Sequence, residues 1–284
     1  MPSKKITVVF LMWLPGGFQK FLAFMQSYLQ HPAGIEHELV IVFKDCTYQN
    51  GELDQYHEFL HSNNIAYTEL FFDGGFDIDV YFFVASKVDT EFAAFINNNS
   101  IILADNWLAK MYAGFQQENI GAVACSASYQ SLYNTVYSKN KWYWETTKSF
   151  NHNFRKYKMF LKAFFYWRFF VFRPFPNPHL RTNGFLIRRA VFLKINKPEL
   201  TSKHKAYQFE SGKQSFSNQL FKMGLQILVV DKNGKFYFPD EWKNSKTYMQ
   251  EEQQNLMIAD KQTIYYDNAS DAEKKRLTHL SWGK

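Results

Sequence analysis

The sequence predicts an α/β protein whose central sheet is mostly parallel and flanked by helices. Short runs rich in β-branched and aromatic residues alternate with stretches whose apolar residues recur at helical spacing. This alternation continues to about residue 127 and is typical of βαβ units, whose strands run parallel. The runs stop at Gly, Pro, Asp or Asn, which are the residues that turns favour.

The first strand is predicted over residues 6–14, which end at Pro15-Gly-Gly17. Lys4 and Lys5 before this run imitate a signal peptide, but no small-x-small cleavage site follows, so a buried strand is the prediction. The other predicted strands are 38–43, 65–72, 91–96, 121–127 and 225–230. The predicted helices are 18–29, 53–63, 79–88, 107–118 and 214–223, with partly helical structure after Glu251.

Composition narrows the possible partners. The formal net charge is +7, which favours an anionic partner such as a nucleotide, a nucleic acid or an anionic lipid. Two cysteines, Cys46 and Cys125, cannot form a tetrahedral thiolate metal site, and a reducing compartment is expected. No apolar run reaches the roughly 18 residues that a membrane span needs.

Several motifs with a known mechanism are absent from the sequence. The first predicted strand is not followed by GxGxxG, and the sequence has no GxxxxGK[ST], GxSxG, HExxH or CxxC. What remains is chemistry that needs carboxylates and a nucleotide pocket. Ligands of parallel sheets bind at the carboxyl ends of the strands, so the polar residues there are the first candidates. They are Asp45, Asp73, Asp77 and the stretch 97–100.

Five stretches, in this order along the chain, resemble family 2-like glycosyltransferases of the GT-A fold, in particular bacterial enzymes of surface-polysaccharide clusters. The stretches are Gly75-Phe-Asp-Ile-Asp-Val-Tyr81, Phe95-Ile-Asn-Asn-Asn-Ser-Ile-Ile-Leu103 with Asn106-Trp-Leu108, Arg181-Thr-Asn-Gly-Phe185, Phe209-Glu-Ser-Gly212 and Val229-Val-Asp-Lys-Asn-Gly234. The resemblance implies transfer of a sugar from a nucleotide donor, with a UDP-sugar expected, to a saccharide or lipid-linked acceptor in surface polysaccharide synthesis.

The resemblance also implies donor-binding positions. An acidic residue after the second strand contacts the donor base in the family, and Asp45 stands there. Asp77 stands near a second polar position after the third strand, while Asp79 is predicted to cap the following helix. Arg181 could hold a phosphate through two hydrogen bonds, or form a surface salt bridge.

The family places an acidic metal-binding motif after the fourth strand, where this sequence has Asn97, Asn98 and Asn99. Mg²⁺ and Mn²⁺ prefer anionic oxygen ligands, whereas amides position a diphosphate without neutralising it. Two alternatives follow. A weak metal site uses Asn99 with help from Asp105 or His279, or cations replace the metal. The available cations are Arg181, Arg188, Arg189, Lys203 and Lys205.

Glu210 is the candidate catalytic base. An inverting transfer needs a carboxylate to accept the proton of the acceptor hydroxyl. A glutamate before Ser211-Gly212 and the predicted helix at 214–223 could point into a cleft. The alternative interpretation is a residue at a helix N-terminus, where the macrodipole favours negative charge. Asp231, Asp240 and Glu241 are the other candidate bases.

The stretch 154–173 is rich in aromatic and basic residues. On an α-helical wheel Arg155, Lys158, Lys162 and Arg173 fall within about 60° of one another, while Lys156 and Arg168 lie elsewhere. A helix of this kind suits contact with an anionic membrane surface. A subunit interface or a lid over the active site is the alternative.

The predicted organisation has three parts: a nucleotide-sugar-binding half at 1–130, an aromatic and basic helical insertion at 131–178, and an acceptor-side half at 179–284. The expected location is cytoplasmic, with peripheral attachment to the inner membrane face as an option. Three other functions remain as alternatives. They are a non-catalytic GT-A-like binding protein that has lost its metal motif, a metal-dependent hydrolase and a nucleic-acid binder. No nucleic-acid-binding pattern is present, so no nucleic acid partner is expected.

Overall fold

The computed structural model describes residues 5–132, 158 and 161–283. The strands are β1 (Ile6–Trp13), β2 (Glu38–Lys44), β3 (Thr68–Phe72), β4 (Phe92–Ile96), β5 (Ile101–Ile102), β6 (Ile120–Ala124), β7 (Ala127–Ser128), β8 (His179–Leu180), β9 (Gly184–Arg188), β10 (Gln226–Val230), β11 (Phe236–Tyr237) and β12 (Ile258–Ala259). The α-helices are α1 (Phe18–Gln30), α2 (Asp54–Ser62), α3 (Asp77–Ala85), α4 (Trp107–Ala113), α5 (Arg189–Phe192), α6 (Lys203–Ser211), α7 (Phe216–Lys222), α8 (Lys261–Asp267) and α9 (Asp271–Trp282).

The main sheet has eight strands in the order β11-β10-β6-β9-β4-β1-β2-β3. The pairs β4-β1, β1-β2, β2-β3 and β6-β10 are parallel. The antiparallel strand β9 lies between β4 and β6, and β11 is antiparallel to β10. This is the predicted α/β class with a mostly parallel sheet. The direction of β9 could not be predicted, because it depends on pairing between distant residues.

Both faces of the sheet are covered, as its apolar strands require. In β1, Ile6 through Met12 are all buried. Val9 and Leu11 pack into a core with α3, α5, α6 and α7. Val8 and Phe10 pack into a second core with α1, α2 and α4.

Two short strand pairs shape the edge of the sheet. Strand β12 pairs antiparallel with β5, with Ala259 opposite Ile101, and this places Asp260 beside the turn that follows β4. Strand β7 pairs antiparallel with β8, with Ala127 opposite Leu180. The two ends of the stretch between β7 and β8 therefore lie side by side at the edge of the sheet. This second pair brackets the predicted insertion at 131–178. Much of that insertion lies outside the described residues, so the boundaries at 130 and 178 stay predictions.

Several predicted boundaries differ from the structure; for example, the helix expected over 107–118 ends at Ala113 and the strand expected over 65–72 begins at Thr68. Two further differences change how candidate residues are interpreted. The helix expected over 79–88 spans Asp77–Ala85, because the Asp79 carboxylate accepts a hydrogen bond from the Phe76 backbone N–H at 2.8 Å and fixes an earlier start. The helix expected over 154–173 is described over Lys162–Val171 and is a π-helix. Its hydrogen bonds join residues five apart, so the α-helical wheel does not apply there. Arg155 and Lys156 lie outside the described residues.

Candidate functional site

A cavity of about 480 Å³ opens at the carboxyl edge of the sheet. Its wall includes the start of α3, the turn after β4, the residues between β8 and β9, one face of α6 and the start of α8. Six residues singled out from the sequence line it, namely Asp77, Asn97, Asn99, Arg181, Lys203 and Glu210. Asp45, Asn98 and His279 are not among the residues that line it.

Asp77 occupies the first turn of α3, where the positive end of the helix dipole favours a carboxylate. Its side chain still contacts solvent, but desolvation within the cleft raises its pKa, and the charge of Lys44 partly opposes this effect. Asp79 forms an ion pair with Lys197 as well as its bond to the Phe76 N–H. Of the two aspartates, Asp77 is therefore the one that can receive a ligand.

The three asparagines after β4 have different surroundings. Asn98 is buried, and its Oδ1 accepts a hydrogen bond from the Trp13 N–H at 3.1 Å. The Oδ1 of Asn97 accepts bonds from the Asn99 N–H and the Ser100 hydroxyl, both at 3.0 Å. Asn99 reaches the cavity without a hydrogen bond to its side chain from the described residues. Two of the three amide oxygens thus stabilise the turn itself.

Asp45 follows β2 in a left-handed conformation with φ 58°. Its Oδ2 accepts hydrogen bonds from Lys44 Nζ at 2.6 Å and Trp13 Nε1 at 2.9 Å, and its Oδ1 accepts one from the Gly74 N–H at 2.7 Å. Desolvation would raise the Asp45 pKa, but these hydrogen bonds and the Lys44 charge outweigh it, and the pKa is lowered. Asp45 therefore joins the ends of β1, β2 and β3 and holds its charge firmly.

Glu210 lies in the last turn of α6, whereas the sequence suggested a helix start as the alternative to catalysis. The negative end of the helix dipole disfavours a carboxylate there, so helix stability does not explain this residue. Burial raises the Glu210 pKa, which the charge of Arg181 and a hydrogen bond from Thr182 partly counteract, and Asp77 raises it further. The Thr182 hydroxyl donates to Glu210 Oε1 at 3.2 Å.

Arg181 lines the cavity and forms no ion pair with the other described residues. Its guanidinium carbon lies 5.1 Å from the centre of the Tyr248 ring, and its Nε is buried without a hydrogen-bond partner. Burial alone would lower the Arg181 pKa. Electrostatic interactions with Tyr248, Asp260 and Glu210 outweigh burial and raise the pKa, so the side chain stays charged.

Of the other cations considered from the sequence, Lys203 lines the cavity. Arg188 pairs with Glu91 at the far end of β9. Arg189 Nε donates to the Ala85 carbonyl at 2.7 Å, and Lys205 lies exposed on α6.

Several further residues that line the cavity received no role from the sequence, and Asp260, His179 and Asn183 are among them. Asp260 caps α8 through bonds from the Gln262 and Thr263 N–H groups, and its side chain is buried. The cap pattern could have located a helix start, but not the cavity. Burial and the charge of Arg181 lower the His179 pKa to about 4, so this imidazole is neutral at pH 7.

The two suggested helpers for a metal do not join the cavity. His279 lies exposed on α9 and lines a separate surface cavity with Lys275 and Arg276. Asp105 bonds to His31 Nδ1 at 2.7 Å and is mostly exposed. The suggested pairing of Asn99 with His279 as metal ligands is therefore not what the fold provides, because α9 carries His279 to another surface.

The residues after β4 are a poor match for the divalent cation that the resemblance implies. Two of their three amide oxygens are already engaged in the turn, and amides do not neutralise a metal charge. Among the described residues no group of three or more His, Cys, Asp or Glu side chains is arranged to hold a metal ion. The described carboxylates that share the cavity wall with Asn99 are Asp77, Glu210 and Asp260.

Neither a protein-family model nor a curated protein matches the chain. Among solved structures, S. aureus TarS 1-349 in complex with UDP-GlcNAc matches with TM-score 0.31 and 16% identity over 42% of this chain and 33% of that one. The mannosyltransferase PcManGT from Pyrobaculum calidifontis, in complex with GDP-Man and Mn²⁺, matches with TM-score 0.48 and 11% identity over 98% and 68%. The WbbM bifunctional glycosyltransferase matches with TM-score 0.45 and 10% identity over 98% and 44%.

The alignments cover about a third of the TarS complex with UDP-GlcNAc and less than half of WbbM. All three matches have a sequence identity of 16% or less and a TM-score below 0.5. Within the part of the chain that the structure describes, no helix combines the length and apolarity needed to cross a bilayer.

Proposed function

We propose that the protein is a GT-A-like glycosyltransferase that moves a sugar from a nucleotide-sugar donor to a saccharide or lipid-linked acceptor. One observation carries the proposal. Side chains from distant parts of the chain, Asp77, Asn97, Asn99, Arg181 and Glu210, line a single cavity at the carboxyl edge of a mostly parallel sheet. That edge is where α/β sheets bind nucleotides.

The donor is proposed to be a UDP-sugar. Its diphosphate is assigned to the side of Asn97, Asn99 and Arg181. Its base and ribose are assigned to the side of Asp77 and, beyond the cavity lining, to Asp45 after β2. Asp45 already accepts three hydrogen bonds. A carboxylate has about four acceptor positions, so one remains for a donor group.

Glu210 is the proposed base of an inverting transfer. Thr182 occupies Oε1, which leaves Oε2 to accept the proton of the acceptor hydroxyl as the hydroxyl oxygen attacks the anomeric carbon. The raised pKa makes the carboxylate a stronger base than an exposed glutamate. The departing nucleoside diphosphate carries away the electrons of the broken glycosidic bond.

The acceptor is proposed to be supplied at a membrane surface, in polysaccharide synthesis. Four aromatic residues of the π-helical segment are exposed: Phe165, Tyr166, Phe169 and Phe170. The same segment packs against α6, which contains Glu210, and against the residues that follow α6. The Trp167 ring stacks on His204 with 5.0 Å between centres, and the Lys213 N–H donates to the Val171 carbonyl at 2.8 Å. A surface bound by these aromatics would therefore lie close to the base.

The experiment is release of nucleoside diphosphate from a panel of nucleotide sugars, with and without saccharide and lipid-linked acceptors. Release that depends on both donor and acceptor supports a transferase. Tight donor binding without release under any acceptor would support the alternative, a non-catalytic binding protein of the same fold.

A further inference from the structure

Within the described part of the chain, two nitrogen donors in the cavity wall have no hydrogen-bond partner. They are Arg181 Nε and Asn183 Nδ2, and both are buried. Asn183 is only 3% exposed. A buried N–H without an acceptor is destabilising, and two such donors in one cavity wall suit a ligand that supplies acceptor oxygens.

The surrounding structure holds Asn183 in one orientation. Its Oδ1 accepts a hydrogen bond from the Ser126 hydroxyl at 3.1 Å, and its Nδ2 has no acceptor among the described residues. Its backbone carbonyl accepts bonds from the Ser100 hydroxyl at 3.0 Å and the Asn97 N–H at 3.3 Å. The donor group is therefore fixed beside the turn at 97–100.

Arg181 is fixed as well. Its backbone N–H donates to the Ser126 carbonyl at 3.0 Å, and its guanidinium lies over the Tyr248 ring. Ser126 thus anchors both Arg181 and Asn183. Thr182, between them, instead donates to Glu210. Three consecutive residues therefore serve two different parts of the cavity.

The chemistry of the two donors selects the ligand. Guanidinium and amide N–H groups only donate, so they suit anionic oxygens, and a guanidinium binds phosphate oxygens in pairs. Lys203 and Lys261 also line the cavity and add positive charge at its rim. The cavity wall also contains the carboxylates of Asp77, Glu210 and Asp260, which repel anions, so diphosphate binding depends on the cations Arg181, Lys203 and Lys261.

We propose that Arg181 and Asn183 form a binding site for the diphosphate of the donor, and that they bind it without a divalent cation. The proposal rests on the proposed glycosyltransferase function. It accounts for the asparagines at 97–99, because Arg181, in place of a metal ion, would neutralise part of the diphosphate charge.

Calorimetric titration with inorganic pyrophosphate and with UDP, both in EDTA, tests this site. The wild type should bind both ligands. Arg181→Gln and Asn183→Asp should each weaken binding by roughly tenfold or more, since each removes a hydrogen bond to a charged group. Arg181→Lys keeps the charge without Nε and should also lose affinity. Arg188→Gln, at the other end of β9, is the matched control and should bind as the wild type does.

Three outcomes would overturn the site. They are binding only when Mn²⁺ is added, variants that keep wild-type affinity, and absence of binding by the wild type under any condition. Thermal melting of each variant separates a lost contact from a lost fold, and Arg181→Lys gives a second test if Asn183→Asp does not fold. Pyrophosphate binding that needs Arg181 and Asn183, together with failure of every nucleotide sugar to bind, would keep the anion site and reject the glycosyltransferase.

Discussion

Thr182 donates its hydroxyl to Glu210 Oε1 at 3.2 Å and so joins the turn before β9 to the last turn of α6. The bond fixes one carboxylate oxygen and leaves the other toward the cavity. A base held in this way loses little entropy when the acceptor arrives, because its orientation is already set.

Glu210→Gln keeps the shape of the side chain and removes the base. We expect kcat to fall by about 10²-fold or more, the usual scale for loss of a general base. Donor affinity should change little. Initial-rate kinetics and calorimetry measure the two quantities, and Glu118→Gln, an exposed residue outside the cavity, is the control. Near-normal turnover with normal donor binding would direct the search to Asp231, Asp240 and Glu241.

The raised pKa of Glu210 gives a prediction for pH. The carboxylate must be ionised to act, so activity should be lost as pH falls through this raised pKa. The effect on stability has the opposite sign. A glutamate whose pKa is higher in the folded protein destabilises the fold once it is ionised. Glu210→Gln should therefore melt at a higher temperature than the wild type near neutral pH, and the difference should disappear as pH falls. A lower Tm for Glu210→Gln at neutral pH would contradict this.

Metal dependence should be weak, because the turn after β4 has amides where carboxylates bind metals. We expect most of the activity to survive EDTA, measured as donor turnover before and after dialysis against the chelator. Complete loss, with recovery on adding Mn²⁺, would show that Asn99 with Asp77 or Asp260 holds a metal after all.

Membrane contact by the aromatic and basic segment predicts binding to anionic vesicles. Replacing Lys158, Lys162 and Arg168 together with Glu should reduce binding, since each basic residue near such a surface contributes about 1 kcal/mol. Replacing the exposed Phe169 and Phe170 with Ser should weaken binding without changing the salt dependence. Co-sedimentation at two salt concentrations measures both effects. A wild type that ignores anionic vesicles would favour a subunit interface or a lid.

The sequence predicted the sheet well because its strands are continuous apolar runs, such as Ile6–Trp13 and Glu38–Lys44, that turn residues interrupt. It also predicted that Asp77 and the stretch 97–100 lie at the carboxyl edge, since strand ends converge in a parallel sheet. Arg181 was a candidate through the family resemblance, because the direction of β9 could not be predicted. The sequence did not identify Asp260 or Asn183. Asp260 reaches the cavity through a two-residue strand pair with Ile101–Ile102, which is too short to produce a pattern.

The role of Asn183 also lies outside what local sequence shows. The surroundings of its unpaired Nδ2 depend on two features formed by distant residues. One is the antiparallel position of β9 between β4 and β6, and the other is the hydrogen bond from Ser126 to Asn183 Oδ1. The sequence suggested His279 as a metal ligand, but the structure places it at a separate surface cavity. The path of the C-terminal helices depends on packing between distant residues, which local sequence does not show.

Thermal melting with a panel of nucleotide sugars and nucleoside diphosphates tests the central claim, donor binding, most directly. A ligand that binds the folded state raises Tm in proportion to the logarithm of its concentration over Kd. We predict that UDP or a related nucleoside diphosphate raises Tm, and that the rise is smaller in Asp45→Ala and Asp77→Ala than in the control Asp105→Ala, each compared with its own ligand-free Tm. No rise with any nucleotide at millimolar concentration would contradict the glycosyltransferase account.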